Sequence, residues 1–484
     1  MPHLIPRVLA TLTFLLTPLL AAAHEGRDPP PLDLTQHWVG YAGIAIFSLA
    51  YILAMFEEST LLRKSKPMVF AASMIWVLIG IVYAQRGLGE QSGHAFRTSL
   101  EGFAELFLFI LVSMTYLNAM EQRGIFDNLR VWLLSREFGY RALFWVTGIL
   151  SFFMSSALNN LTTALLMGAV ILAMAKDNRR FISLACINIV VATNAGGSFS
   201  PFGDITTLLV WQKGPVPFGD FFSLFLPAVV NFVVPALIMS FWVPKGKPGM
   251  TRKAIPLMRG ALGIIALFFL TITTAVCFEN FLDLPPAAGM VAGLSYLSFY
   301  FYYLFSSREK DKAIEGMDRL EPGHTLTDAH PKTTVNNQIF DVFHNVSKLE
   351  WDTLLFFYGV MVSVGGLSFM GYLAMASDVL YTGLDPTIAN ILVGVVSAFI
   401  DNGTIMYAVL TMAPNISEGQ WLLVTLTAGV GGSLLAIGSA AGVGLLGQMG
   451  GAYSFVSHLK WMPAIALGYA ASIVTHFLIN GRFF

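Results

Sequence analysis

The chain of 484 residues carries 28 Lys and Arg against 29 Asp and Glu, a formal net charge of −1, with 55% hydrophobic and 12% charged residues and a mean hydropathy of +0.67. Soluble domains are about 25% charged, so the composition argues against a soluble multidomain enzyme, and the balanced charge lacks the basic face of a nucleic-acid partner. Apolar stretches near twenty residues recur along the chain, the length that crosses a hydrocarbon layer about 30 Å thick, which predicts an all-helical polytopic protein in a lipid bilayer.

Residues 1–23 combine Arg7, a short apolar run and Ala21-Ala22-Ala23, the pattern of a secretory signal peptide cleaved after Ala23. Full spans are expected near 38–56, 68–85, 102–120, 181–211, 222–243, 260–278, 286–305, 352–376, 420–447 and 461–480. Basic residues stay on the cytoplasmic side. Threading the chain from an outside start leaves only Arg27, Arg86, Arg97, Lys213 and Arg482 outside, so both mature termini are expected in the periplasm of a bacterial inner membrane. Cys186 and Cys277 lie in apolar segments without metal-ligand spacing and read as small buried hydrophobes.

That threading requires two apolar stretches that do not cross. Residues 143–175 are too long for one upright helix and too short for two spans, and Arg136, Arg141, Lys176, Arg179 and Arg180 flank them on both sides. A re-entrant hairpin from the inside is expected there. Residues 387–413 have Asp378, Asp385 and Glu418 as flanks, so that hairpin is expected from the outside. Residues 306–350, rich in charge, Gly, Pro, Asn and Thr, read as a cytoplasmic linker.

The hairpin tips superpose as Ser155-x-x-x-Asn159-Asn160-x-Thr162 and Ser397-x-x-x-Asp401-Asn402-x-Thr404. Downstream of each lies a second motif, with Gly196-Gly197-Ser198 and Asp204 in one copy and Gly431-Gly432-Ser433 and Ser439 in the other. The offsets between copies, 242 and 235 residues, nearly agree. Two inverted repeats are therefore expected, each with five spans and one hairpin. The first occupies 24–259, with its hairpin at 143–175 and a helix at 181–211 broken at mid-membrane. The second comprises two spans in 260–305, the linker 306–350, and 351–484, with its hairpin at 387–413 and broken helix at 420–447.

Broken helices expose carbonyls and amides, and Gly and Ser let a small ion approach them. Hydroxyls, carbonyls and amide oxygens are hard ligands, and a carboxylate adds compensating charge. The candidate set for cation and proton binding is Asp204, Asp401, Asn159, Asn160, Asn194, Thr206, Thr207, Ser198, Ser155, Thr162, Ser397, Asn402, Thr404, Ser433 and Ser439. No Lys or Arg occurs within the four motifs, which favours a cation over an anion, although helix N-termini would also receive an anion. A buried acid that binds either a proton or a cation exchanges one for the other. Glu105 is a possible relay or an interfacial residue satisfied by water, and His94, His458 and His476 read as surface or capping histidines. No nucleophile with a base and no metal-ligand set appears at membrane depth, so an enzyme is not expected, nor a cofactor beyond the transported ion.

At SSALNNLTTALLMGAV, INIVVATNAGGSFSPFGDITTLLVWQKG and SAFIDNGTIMYAVLTM the chain resembles the NhaD-type sodium/proton antiporters of the ion transporter superfamily, over nearly all of its length after residue 35. The resemblance implies export of sodium or lithium driven by proton entry, by a homodimer with a scaffold and a moving transport region. It implies transport roles for Asn160, Asn194, Asp204, Thr206, Thr207, Ser397, Asn402 and Ser439, with sodium at Asp204, Asn160 and Asn402. The family's first tip reads Asp-Asn, whereas this chain has Asn159-Asn160. The alternative within the superfamily is a sodium-coupled symporter of a small anion or an arsenite-type carrier.

Overall fold

The computed structural model describes residues 31–136, 138–175, 178–247, 258–318 and 342–484. All regular structure among them is helical, and nine helices are long and apolar enough to cross a membrane. The leader expected over 1–23 lies outside the described residues.

In chain order the helices are α1 (Trp38–Met55), α2 (Glu57–Thr60), α3 (Ser65–Gln85), α4 (Gly89–Gln122), α5 (Ile125–Ser135), α6 (Tyr140–Ser155), α7 (Asn160–Met174), α8 (Arg179–Gly197), α9 (Ile205–Lys213), α10 (Phe225–Ser240) and α11 (Ala261–Leu282). They continue as α12 (Pro286–Asp318), α13 (Val342–Ser347), α14 (Trp351–Phe369), α15 (Tyr372–Ser377), α16 (Pro386–Val396), α17 (Asn402–Met412), α18 (Glu418–Gly431), α19 (Ala440–Gln448), α20 (Phe455–Leu459) and α21 (Met462–Asn480).

Both expected hairpins are pairs of short helices, α6–α7 and α16–α17, that part at the predicted polar tips. Both expected broken segments divide, α8 from α9 and α18 from α19. Several boundaries differ from expectation, among them that of α4, which begins at Gly89 and not near 102. The span expected over 352–376 stops at Phe369, because Gly371 takes a left-handed φ of 102° and starts the separate α15. The basic stretch after Arg123 holds the amphipathic α5, and α12 continues past 305 to Asp318.

The helices sort by packing. α3 packs on α1, α4 and α14, α4 packs on α12 and α14, and α11 pairs with α12. A second set comprises α6–α10 and α16–α21: α6 lies on α8, α7 on α19, α10 on α21 and α16 on α18. The two sets meet where α14 and α15 pack on α17, and where α5 joins α4 to α7. Every residue of α8 from Phe181 to Gly197 except Ser183 is buried, and α18 is buried from Trp421 through Gly431, whereas α1 and α11 keep much of their surface exposed. The interrupted helices are thus the innermost.

Matched glycines allow that depth. A Cβ added at Gly196 would stand 2.0 Å from the Phe152 carbonyl oxygen, and one at Gly431 2.0 Å from the Gly394 carbonyl oxygen. One at Gly203 would meet the Ser155 carbonyl at 2.6 Å, and one at Gly438 the Ala398 carbonyl at 2.6 Å. In both copies, then, the motif glycines lie directly against the backbone of the neighbouring hairpin.

Ser417 caps α18, its hydroxyl accepting from the Gln420 N–H at 3.3 Å. In the first turn, Glu418 has its Oε1 buried without a hydrogen bond among the described residues. Burial raises its carboxyl above the ordinary range, and the charge of Asp220 raises it further against the opposing effect of Arg482.

Two outcomes are expected. Gly196→Ala and Gly431→Ala each cost about 1–3 kcal/mol or more through backbone overlap and lower the thermal midpoint of the detergent-purified protein. Gly447→Ala, where an added Cβ meets nothing within 4 Å, leaves it unchanged or higher. For Glu418, a raised folded-state value means that stability present at acid pH is lost as pH rises through that value. Glu418→Gln should therefore raise the midpoint near about pH 8 and leave it unaltered near about pH 4, as read by melting curves at both pH values.

Candidate functional site

Four helix N-termini open at the polar tips and breaks, and each is capped by a motif side chain. Asn159 Oδ1 accepts from the Thr162 N–H at 2.7 Å to start α7. Asp204 Oδ1 accepts from the Ile205 N–H at 2.7 Å to start α9. Asp401 Oδ2 accepts from the Thr404 N–H at 3.3 Å and from its hydroxyl at 3.4 Å to start α17. Ser439 Oγ accepts from the Gly442 N–H at 3.3 Å to start α19. These residue types cap because a short oxygen-bearing side chain reaches the unpaired N–H groups of the first turn.

Asp204 uses its other oxygen across the molecule. Oδ2 accepts from Asn402 Nδ2 at 2.7 Å and from the Thr206 hydroxyl at 3.0 Å. Asn402, 6% exposed, comes from the second hairpin tip, 198 residues away, and its Oδ1 accepts from the Gly403 N–H at 2.9 Å. This bond joins the first break to the second tip.

A reciprocal cluster joins the first tip to the second break. Asn194 Nδ2 donates to Ser439 Oγ at 3.0 Å and to the Val190 carbonyl at 3.1 Å, and the Asn194 and Asn160 amides meet at 3.3 Å. On its other side the Asn160 amide faces three oxygens: Ser155 Oγ at 2.6 Å, the Thr193 carbonyl at 3.1 Å and the Gly203 carbonyl at 3.1 Å. An amide nitrogen there has two hydrogens to share among the three. An amide oxygen there accepts from the Ser155 hydroxyl at 2.6 Å and stands beside the two carbonyl oxygens.

The other candidates support the breaks. Thr207 Oγ lies 2.8 Å from the Ser200 and Asp204 carbonyls and 3.5 Å from that of Gly197. The Ser198 hydroxyl donates to the Ala195 carbonyl at 2.8 Å and that of Ser433 to the Val430 carbonyl at 2.6 Å. The Ser397 hydroxyl lies 2.8 Å from the Ala428 carbonyl and 3.0 Å from that of Gly394, which ties α16 to α18. Thr162 contributes its backbone N–H to the Asn159 cap.

Glu105 stands apart from this network. Gln212 donates to its backbone carbonyl at 3.5 Å, and the Lys213 and Glu101 charges lie within electrostatic reach of its carboxyl. His458 and His476, expected at the surface or as caps, are both 0% exposed and bond to carbonyls of the second broken helix region, at Ser433 and Gly419. Their neighbours, Ser457 and Leu459 for one and Thr475 and Phe477 for the other, carry no clear sequence signal for burial.

Sequence reasoning also missed Tyr51, whose hydroxyl accepts from the Asp401 N–H at 3.0 Å from a helix 350 residues away. It missed Gly429, which takes the position of Asn194 in the second copy. A Cβ there would lie 3.2 Å from Ser198 Cβ, 3.5 Å from Thr206 Oγ and 3.8 Å from Asp204 Oδ2. That match was available from the offset of 235 residues between copies.

A family model described as CitMHS, citrate transporter, matches residues 42–429. The chain is 51% identical over 479 residues to the Na(+)/H(+) antiporter NhaD of Halomonas elongata, an alignment covering 99% of this chain and 95% of the relative. It is 53% identical over 473 residues to the protein of that name from Alkalimonas amylolytica, covering 97% and 95%. It is 51% identical over 471 residues to that of Vibrio cholerae, covering 97% and 98%. The chain belongs to the NhaD antiporter family. It is thus a multi-pass membrane transporter and not an enzyme, as its composition and helices led one to expect.

The first break in this family member yields a direct stability test. Thr207→Val keeps the side-chain shape but removes the donor to the Ser200 and Asp204 carbonyls, at an expected cost of about 1–3 kcal/mol. Thr273→Val, at an exposed site where the hydroxyl bonds the Phe269 carbonyl of its own helix, should shift the melting curve little.

Proposed function

We propose that this protein exchanges cytoplasmic Na+ or Li+ for external H+ by alternating access, with one cation site built where the two hairpin tips meet the two breaks. The observation that carries the reading is the bond from Asn402 to Asp204, which puts a carboxylate at the junction of one tip and one break. The donors around it are hydroxyl, amide and carboxylate oxygens, the hard ligands that a small monovalent cation prefers. Asp204 holds either the cation or a proton, and Asp401, within electrostatic reach, biases that competition. The names of the bacterial relatives support the same exchange.

The two halves act as inverted repeats about a midplane site, a reading that rests on the charge-derived orientation and on the matched glycine contacts at the two breaks. The protein works as a homodimer in a bacterial inner membrane with both mature termini in the periplasm. The segment that joins α12 to α14 is cytoplasmic.

A second reading, cotransport of sodium with a small carboxylate anion, is favoured by the citrate-transporter description of the matching family model. The helix N-termini at the breaks would receive such an anion.

The test uses everted membrane vesicles holding an acid interior, to which NaCl, LiCl or KCl is added while interior pH is followed. Exchange predicts collapse of the gradient by Na+ or Li+ in chloride medium. Asp204→Asn should abolish that response while the protein stays folded and present in the membrane at its usual level. Gradient collapse at the unsubstituted rate in that variant removes the assignment. A response that appears only when a carboxylate anion is supplied selects the cotransport reading.

A further inference from the structure

The two breaks share a backbone plan but are braced by different means. In the first, Thr207 braces from within, its hydroxyl lying against the Gly197, Ser200 and Asp204 carbonyls. The matching position in the second break is Gly442, and no side chain fits there, since an added Cβ would stand 2.1 Å from the Ala436 carbonyl oxygen. The second break therefore lacks the internal hydroxyl that holds the first.

A donor reaches it from another helix. His458, on α20, is 0% exposed, and its Nε2 lies 2.8 Å from the Ser433 carbonyl. A carbonyl only accepts, so Nε2 carries the hydrogen. In a neutral ring Nδ1 is then bare, and the Tyr453 hydroxyl, 2.7 Å away and 1% exposed, donates to it. The tautomer is set by these two partners. Three carbonyls of the break are held locally: Val430 by the Ser433 N–H and hydroxyl, Gly431 by the Leu434 N–H and Leu435 by the Gly438 N–H. The Ser433 carbonyl is held instead by a group 25 residues away.

We propose that His458, oriented by Tyr453, is a positioning residue for the cation site, bracing the second break from outside at the Ser433 carbonyl where the first is braced from within by Thr207 at other carbonyls. By holding the Ser433 carbonyl it fixes the turn that carries Ser439, whose hydroxyl receives the Asn194 amide at 3.0 Å. The imidazole touches neither ion nor proton in transit and acts through the shape of the break. This inference rests on the exchange reading above.

The experiment measures cation-driven proton flux in everted vesicles against Na+ concentration for the unsubstituted protein and for His458→Ala, His458→Gln and Tyr453→Phe, with membrane levels and melting curves alongside. His458→Ala should raise half-saturating Na+ about three- to tenfold, the equivalent of one hydrogen bond, with a smaller change in maximal rate. His458→Gln, whose amide nitrogen falls near the place of Nε2, should restore half-saturation to within about twofold, and Tyr453→Phe should lie between. Unchanged half-saturation in His458→Ala, or equal impairment of the Gln variant, overturns the proposal. If His458→Ala does not reach the membrane, unchanged half-saturation in Tyr453→Phe overturns it. No cation response in the unsubstituted protein removes the exchange reading, and this inference with it. A normal response there with indifferent His458 variants removes this inference alone.

Discussion

A helix opened inside an apolar medium leaves backbone N–H and C=O groups that no water can satisfy, and every other feature of the protein's centre answers that requirement. Four openings occur, and four short polar side chains close their N-termini: Asn159, Asp204, Asp401 and Ser439. Each cap must sit at the opening itself, so the side chains that make the fold possible also line the place where a ligand would enter. Under the proposed exchange, fold and site share one set of residues. For that reason the cost of an opened helix is met by the same oxygens that a small cation needs.

Close approach follows from the caps. The tips reach the breaks only because Gly196, Gly203, Gly431 and Gly438 present bare backbone to the carbonyls of α6, α16 and their ends. Backbone symmetry at this level is strong, while the chemistry laid on it is unequal. One break is capped by a carboxylate and the other by a hydroxyl. Asn194 in one copy corresponds to Gly429 in the other, and Thr207 to Gly442. Negative charge is thereby concentrated where the first break meets the second tip, at Asp204 and Asp401.

Residues read from the sequence succeeded where the physics is local. Capping works over two or three residues, so the Asn159–Thr162 and Asp401–Thr404 spacings of the matched tips coincide with caps in the structure, whereas the Ser439–Gly442 cap went unread. The paired tips and breaks were legible too, because small residues at fixed offsets have few causes in an apolar run, and the helices part at both. Contacts across the chain left no such trace. Nothing near Tyr51 in sequence announces Asp401, and nothing near His458 announces Ser433, because a histidine flanked by Ser457, Leu459 and Lys460 reads like an interfacial one. The early stop of α14 was missed for a backbone reason: Gly371 sits within an unbroken apolar run, and only its left-handed φ ends the helix.

The departure at Asn159 can be weighed on the same terms. Asn159 and Asp401 hold equivalent places in the two tips, and each directs an oxygen to the N–H three residues on. A neutral amide performs that capping as well as a carboxylate does. Asp204 differs from both, since its second oxygen leaves the helix end and meets Asn402 from the other half. Under the proposed exchange, the group that trades a proton for a cation must feel both halves of the molecule, and that geometry belongs to Asp204. An acid at position 159 would add charge at a tip whose own oxygen is committed to its helix. Its replacement by asparagine therefore removes a charge from the surroundings of the site while leaving the carboxylate that joins the halves in place.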